Sequence, residues 1–236
     1  MSQLTVSNLV VRRGNKAVAN DLSITVESGS ITALLGPNGA GKSSLVLALA
    51  GVLPVEQGSV TIDGVTLTGR SPEAVRRAGL AAVPEGHRVL AGLNVDDNLR
   101  AAGFSHSPTA LRPILDEVYA TLPELAERRP QKAGSMSGGQ QQMLAIGQAL
   151  VARPAFVLID EMSLGLAPLI VKRLMGVLDN LAASGVGVLL IEQFTHLALK
   201  HANRAYVMNH GRIVYDGLAE EIRERPEILH GAYLAG

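Results

Sequence analysis

The spacing of hydrophobic positions divides the chain into strand-like and helix-like stretches. Leu22, Ile24 and Val26 alternate with polar residues, which is the pattern of a strand with one face in water. Ile31–Leu35 is a largely apolar run, typical of a strand that is buried on both faces. We therefore predict a small antiparallel β subdomain near the N-terminus, followed by the first strand of a buried sheet.

A long helical stretch separates this strand from the later ones. The pattern from about residue 70 to 152 is mainly helical, and short strand patterns return at 156–159, 186–191, 205–208 and 212–215. Apolar strands alternating with helices predict an α/β fold with a mostly parallel sheet. We predict a single domain, 1–236, in which an inserted helical subdomain (85–153) interrupts a core formed by 1–84 and 154–236.

Composition narrows the class of protein. Apolar residues make up 47% of the 236 residues, which is enough for a large core. The 21 basic and 21 acidic residues cancel, and this balance argues against a nucleic-acid-binding protein, since such proteins usually carry a basic excess. The absence of cysteine excludes disulfides and thiol chemistry. Apolar runs are too short to span a bilayer, so a role at a membrane would require a membrane-embedded partner.

A glycine-rich segment between the predicted strand and the next helix matches the P-loop pattern. Glycines let backbone N–H groups close around phosphate oxygens, and the following helix directs its positive end toward them. Lys42 adds a positive charge near the β- and γ-phosphates, and Ser43 offers a hydroxyl to Mg²⁺. The alternative is a glycine-rich turn without a ligand. The candidate ATP-binding residues are Gly36, Pro37, Asn38, Gly39, Ala40, Gly41, Lys42, Ser43 and Ser44.

Two acids end the apolar strand predicted at 156–159. Asp160 and Glu161 would lie at the carboxyl end of a central strand, where α/β sheets bind their ligands. We predict that Asp160 holds Mg²⁺ and that Glu161 polarises the water that attacks the γ-phosphate. An acid pair that caps the next helix is the alternative.

A second anion-binding pattern precedes the acidic strand. Ser137, Gly138, Gly139 and Gln140, here called the Ser137 segment, stand at the start of a helical pattern. Small residues at a helix start offer free N–H groups to an anion. One γ-phosphate does not need two anion-binding segments from the same chain. We therefore interpret the Ser137 segment as a contact to the nucleotide of a second subunit. By itself it would be a serine cap followed by flexible glycines.

The order of these segments resembles the ABC ATPase family, and the resemblance covers essentially the whole chain. Three stretches, 83–88, 160–168 and 191–193, are similar to the ATPases of branched-chain amino-acid (Liv-type) importers. Urea and short-amide importers have very similar ATPases. The resemblance implies a RecA-like P-loop NTPase fold, ATP and Mg²⁺ as ligands, and a head-to-tail dimer that holds two ATP molecules between P-loop and Ser137 segment.

The same resemblance implies ATP hydrolysis coupled to transmembrane transport. It implies permease subunits that contact the helical insertion, a substrate-binding protein as an indirect partner, and a peripheral position at the cytoplasmic face of the membrane. The cargo stays open among branched-chain or other amino acids, urea and short amides. Whether the dimer pairs identical or different ATPases also stays open.

Three positions depart from the general family pattern. Glu85 replaces the glutamine that reaches Mg²⁺, and a carboxylate can also bind this ion. Gln193 replaces the histidine that touches the γ-phosphate, so it can donate a hydrogen bond but brings no positive charge. Arg13 stands where an aromatic residue usually stacks on adenine. Its guanidinium can stack on a base, and a solvated surface arginine is the alternative.

Other classes of function fit part of the pattern. Soluble ABC ATPases that act on ribosomes, DNA repair or chromosome structure usually carry two ATPase units or long coiled-coil inserts, and the sequence shows neither. A nucleotide-binding regulator without hydrolysis would account for Gln193 and Arg13, but Glu161 is retained. A P-loop kinase has no use for the Ser137 segment.

Overall fold

The computed structural model describes residues 1–86 and 88–234, which form two β-sheets and surrounding helices. The strands are β1 (Gln3–Arg13), β2 (Lys16–Glu27), β3 (Ile31–Leu35), β4 (Val55–Ile62), β5 (Val65–Thr66), β6 (Leu80–Val83), β7 (Phe156–Asp160), β8 (Gly187–Glu192), β9 (Arg204–Asn209) and β10 (Arg212–Leu218). The helices are α1 (Lys42–Leu49), α2 (Pro72–Arg77), α3 (Val95–Ala102), α4 (Pro108–Thr121), α5 (Pro123–Ala126), α6 (Gly138–Leu150), α7 (Pro168–Ala183), α8 (Thr195–His201), α9 (Ala219–Glu224) and α10 (Glu227–Leu234).

The larger sheet has the strand order β10-β9-β3-β8-β7-β6. Strands β9, β3, β8, β7 and β6 are parallel, and β10 pairs with β9 in the antiparallel direction. Every residue of β3, β7 and β8 is buried, because both faces of the sheet are covered. The mostly parallel α/β sheet predicted from the sequence is confirmed.

Strand register brings the candidate site residues to one edge of this sheet. Leu35, the last residue of β3, pairs with Glu192, and Asp160 at the end of β7 pairs with Ile191. The segments that follow these strands therefore leave the sheet side by side. This is the edge at which parallel α/β sheets bind ligands.

The expectation of a mainly helical stretch from about residue 70 missed strand β6. Its four residues, Leu80–Val83, pair in parallel with β7 at the end of the sheet. A run of four apolar residues carries too little periodicity to distinguish a strand from a helix. The strand brings Glu85, two residues beyond its end, to the same edge as Asp160.

The smaller sheet, β2-β1-β4-β5, is antiparallel, as expected for the N-terminal subdomain. It packs with α1 over the face of the large sheet that carries Leu34, Leu158 and Leu189. The opposite face, with Leu35 and Ile159, packs against helices that include α6 and α7. The large sheet is thus the middle of three layers.

Helices α3 to α6 lie between β6 and β7 in the chain, together with a 3₁₀ turn at Ala133–Ser135. They contribute to the core on the α7 side of the large sheet through apolar residues such as Leu99, Val118 and Leu144. In the described part of the chain, no helix has both the length and the apolar character required to cross a bilayer.

Candidate functional site

The segment 36–44 wraps around the start of α1, and two of its glycines have no room for a side chain. A Cβ at Gly36 would lie 2.2 Å from the carbonyl oxygen of Met208. At Gly41, with φ +111°, a Cβ would lie 2.0 Å from the carbonyl oxygen of Val18. Backbone carbonyl groups of strands β9 and β2 therefore lie directly against this loop, and only glycine leaves enough room for them.

Lys42 is the first residue of α1 and is almost completely buried, with 4% of its surface exposed. Its Nζ donates hydrogen bonds to the carbonyl oxygens of Gly36 (2.9 Å) and Pro37 (3.1 Å). It also lies 4.0 Å from Oε1 of Glu161. Burial lowers the pKa of Lys42, and the negative charges of the neighbouring acids oppose that effect. The loop thus folds around a buried cation.

Asp160 is 2% exposed, and its Oδ1 is buried with no hydrogen-bond partner among the described residues. Burial, together with the charges of Glu161 and Glu85, raises the pKa of the Asp160 carboxyl to about 6. A hydrogen bond from Ser43 acts in the opposite direction. A buried carboxylate oxygen without a partner costs free energy unless a ligand occupies the position.

The residues around Asp160 fit a magnesium ion. Carboxylate and hydroxyl oxygens are ligands that Mg²⁺ prefers, and in phosphate sites it uses one or two carboxylates together with the phosphates of the substrate. Within the described residues, no three His, Cys, Asp or Glu side chains form a complete cation site of their own.

Glu161 adopts a left-handed backbone conformation, with φ +47°. Its N–H donates a 2.9 Å hydrogen bond to the carbonyl oxygen of Ile191 on the neighbouring strand β8. Non-glycine residues rarely adopt this conformation, and when they do they are often at functional sites. The turn points the chain away from the sheet directly after Asp160 and places the Glu161 carboxylate beside Lys42.

Glu85, Gln193 and Arg13 are all exposed. Glu85 follows β6 and Gln193 follows β8, so both lie at the carboxyl edge of the large sheet. Arg13 ends β1 and pairs with Lys16 across a tight turn of the small sheet. Strand β2, which leaves that turn, carries the Val18 carbonyl that contacts Gly41. The structure thus brings Glu85 and Gln193 to the same sheet edge as Asp160 and places Arg13 directly before the turn that leads to β2.

The Ser137 segment starts helix α6 with a capping box. The Ser137 hydroxyl accepts a hydrogen bond from the Gln140 N–H, and the Gln140 side chain accepts one from the Ser137 N–H. The N–H groups of Gly138 and Gly139 are therefore left at the helix start without an intrahelical acceptor. A Cβ at Gly139 would lie 2.5 Å from the side chain of Ile170, so the segment rests against the beginning of α7.

Two features of the site could not be found from motifs. Glu192 at the end of β8 accepts hydrogen bonds from Ser163, which follows Glu161 by two residues. In addition, the N–H of Gly211 donates to the carbonyl oxygen of Ala40 in the P-loop (3.0 Å). The β9–β10 turn thus supports the phosphate-binding loop. Both contacts join residues far apart in sequence.

Comparison with known proteins identifies the class to which this fold and site belong. The model of the ABC transporter family matches residues 19–163, more than half of the chain. The chain therefore belongs to this family and is an ABC ATPase that binds nucleotide and hydrolyses ATP, as the order of its motifs predicted.

Individual relatives refine this picture. The chain is 42% identical to BraG of Pseudomonas aeruginosa, a high-affinity branched-chain amino acid transport ATP-binding protein, over 94% of this chain and 95% of the relative. It is 33% identical to LivF of Archaeoglobus fulgidus, a probable protein of the same kind, over 86% and 87% of the two chains. A crystal structure of a nucleotide-free ATP-binding cassette from an ABC transporter superposes with a TM-score of 0.87, 26% identity and 99% coverage of both chains.

Proposed function

We propose that this chain is the ATP-hydrolysing subunit of an ABC importer for branched-chain or other amino acids. The observation that carries the choice of cargo class is the 42% identity to BraG across nearly the full length of both chains. Urea or short amides as cargo, and a soluble ABC ATPase without a transporter, are the alternatives.

Within this proposal, residues 36–44 bind the phosphates of ATP, and Lys42 neutralises part of their charge. Ser43, Asp160 and Glu85 hold Mg²⁺ at the carboxyl edge of the sheet, and the unpaired Oδ1 of Asp160 supports this assignment. When bound, Mg²⁺ supplies positive charge that stabilises the phosphate oxygens.

Glu161 orients a water molecule toward the γ-phosphate and accepts its proton. Its Oε1 lies 4.0 Å from the Lys42 Nζ, which places it close to the phosphate-binding loop. Its side chain is only partly buried. Gln193, on the adjacent loop, donates a hydrogen bond to the γ-phosphate, and Arg13 stacks on the base.

The proposed partners are those that membership of the ABC transporter family implies. The Ser137 segment presents its free N–H groups to the nucleotide of a second ABC ATPase subunit. Permease subunits contact the helical part of the chain, a substrate-binding protein acts through them, and the motor works as a peripheral subunit at the cytoplasmic face of the membrane. Nucleic acid is not a partner in this scheme.

The hydrolytic assignment is tested by phosphate release from purified protein. We expect Glu161→Gln to lower the rate on the order of 100-fold, because the amide cannot accept the proton of the attacking water. Glu224→Gln, a matched change on the exposed face of α9, should leave the rate unchanged. Equal rates for wild type and Glu161→Gln would remove Glu161 from the mechanism.

The cargo is tested separately, because the ATPase does not contact it. Permease genes and a gene for a substrate-binding protein beside this one are expected. Calorimetry of that binding protein with leucine, urea and a short amide then assigns the cargo. Binding of urea alone would replace the amino-acid proposal, and a gene neighbourhood without permeases would favour the soluble class.

A further inference from the structure

A pair of buried polar residues links two loops of the site. The N–H of Ser163 donates to Oε1 of Glu192 (3.0 Å), and the Ser163 hydroxyl donates to Oε2 of the same carboxylate (2.6 Å). Glu192 is only 1% exposed, and it also accepts a hydrogen bond from the backbone of Gln193. We call the Ser163–Glu192 pair the clasp.

The clasp lies between residues to which the proposed function gives roles. Ser163 is two positions after Glu161, and Glu192 directly precedes Gln193. The loop after β7 and the loop after β8 are therefore fixed to each other at their bases. Without the clasp, the Glu161 N–H to Ile191 carbonyl bond would remain as a backbone link between them.

Burying the Glu192 carboxylate costs free energy, and a contact that served only to stabilise the fold could be made by apolar side chains without that cost. Burial raises the pKa of Glu192, and the nearby charge of Glu161 raises it further. Replacing buried charged groups by an apolar pair of similar volume is often neutral or stabilising. The clasp does offer what an apolar pair does not, which is a defined direction and length for the connection between the loops.

Both loops also carry an exposed apolar side chain next to the clasp. Leu164 follows Ser163 and is 46% exposed, and Phe194 lies two residues after Glu192 and is 52% exposed. The clasp therefore joins two loops that each present an apolar side chain to solvent.

We infer that the clasp is a positioning device for hydrolysis: it holds the Glu161 loop and the Gln193 loop in one fixed relation without touching the nucleotide. The inference rests on the proposed roles of Glu161 and Gln193. It predicts that removing the Ser163 hydroxyl lowers kcat and leaves the affinity for ATP unchanged, because the hydrogen bonds of Lys42 to the P-loop do not involve the clasp. The charge of Glu192, which acts to raise the pKa of Lys42, is kept in that variant.

Three serine variants test the clasp. Ser163→Ala keeps the backbone donor and removes the hydroxyl donor, and we expect kcat to fall at least tenfold with the Kd for ATP unchanged. Ser163→Thr keeps a hydroxyl and should restore most of kcat. Ser184→Ala removes a similar hydroxyl bond, to the Leu181 carbonyl at the far end of α7, and should have no effect on kcat.

Glu192→Gln separates the hydrogen bonds from the charge. Its side chain can still accept from the Ser163 N–H and can pair with the hydroxyl, so its kcat should stay closer to wild type than that of Ser163→Ala. A larger loss in Glu192→Gln would overturn the clasp in favour of a purely electrostatic role. Thermal unfolding of each variant identifies a loss of kcat that comes from misfolding, and such a loss would also count against the inference.

The outcomes distinguish the clasp from the proposed function. A Ser163→Ala variant as active as wild type, beside an inactive Glu161→Gln, overturns the clasp and leaves the function intact. Equal rates in wild type and Glu161→Gln overturn both.

Discussion

Single residues in the phosphate-binding loop are fixed by their contacts as much as by their chemistry. Gly41 combines φ +111° with a missing Cβ whose place is filled by the Val18 carbonyl. Gly39, with φ +80° and open space around its Cα, meets only the first of these constraints. The two glycines of one motif thus serve different purposes, and one of them ties the loop to strand β2.

Replacing Gly41 by alanine is predicted to destabilise the fold and weaken nucleotide binding. A left-handed conformation costs a non-glycine residue roughly 1–2 kcal/mol, and displacing the Val18 carbonyl adds to this. We expect a loss of more than 2 kcal/mol in the free energy of unfolding, measured by urea denaturation, together with reduced ATP affinity. Gly69→Ala is the matched control, since Gly69 has φ +74° in open space. Equal losses in the two variants would show that the Val18 contact has no energetic weight.

At the residue scale, the sequence predicted most of the candidate site residues but not the residues that hold them in place. Lys42, Asp160 and Glu161 belong to local motifs, in which spacing along the chain determines where a side chain goes. Glu192 and Ser163 meet from positions 29 residues apart, and the contact depends on the register of β7 against β8. Neither segment contains a local pattern that predicts such a pair, because the two residues are far apart in sequence.

At the scale of elements, helix α3 organises the segment that leads from Glu85 toward the helical part of the chain. Asn98 is completely buried in this helix. Its Oδ1 accepts from the Leu90 N–H (2.8 Å) and from the Gln148 side chain (3.1 Å), and its Nδ2 donates to the Leu90 carbonyl (3.0 Å). The same loop pairs with the chain before the Ser137 segment through the Leu93 carbonyl and the Ala133 N–H.

Asn98→Ala is therefore predicted to loosen the loop at 90–94. Each buried group that loses its partner costs about 1–3 kcal/mol, so we expect a total loss of roughly 2–4 kcal/mol in unfolding free energy. Faster hydrogen exchange should appear at residues 90–94 and 133–134. Asn180→Ala, an exposed asparagine in α7, should change stability by less than about 0.5 kcal/mol. Unchanged exchange in the loop would mean that Asn98 does not organise it.

The boundaries of the helices and strands show which elements a local sequence pattern is enough to predict. The helix predicted after the P-loop begins with three polar residues, Lys42, Ser43 and Ser44, which carry no apolar pattern and belong to the motif itself. Strand β6 has no alternation and only four residues, so it could not be distinguished within a helical region. The buried strands β3, β7 and β8 were predicted from largely apolar runs outside the helical stretch. The run at 156–159 is as short as β6 but lies beyond that stretch and ends in two acids.

At the scale of the whole molecule, the helical part is fixed to the core beside the Ser137 segment. Arg173 of α7 forms an ion pair with Glu124 of α5, and this bond raises the pKa of Arg173 and lowers that of Glu124. Ile170, one turn earlier in α7, fills the space next to Gly139. The position of the Ser137 segment is thus determined by α7, which begins shortly after Glu161. No pattern within either segment could have predicted this contact.

This arrangement leads to a prediction about assembly. If the free N–H groups of the Ser137 segment bind the nucleotide of another subunit, ATP should drive dimer formation when hydrolysis is blocked. We expect the Glu161→Gln variant to be monomeric without nucleotide and dimeric with ATP and Mg²⁺, as measured by light scattering after size exclusion. Adding Ser137→Arg should keep it monomeric, because the long side chain would occupy the space of the γ-phosphate.

Ser107→Arg is the matched control, since Ser107 also caps a helix through its side chain and lies outside the proposed interface. The shared nucleotide site is excluded if the ATP-loaded Glu161→Gln protein stays monomeric even with its permease present. If both arginine variants form dimers, the interface lies away from the Ser137 segment.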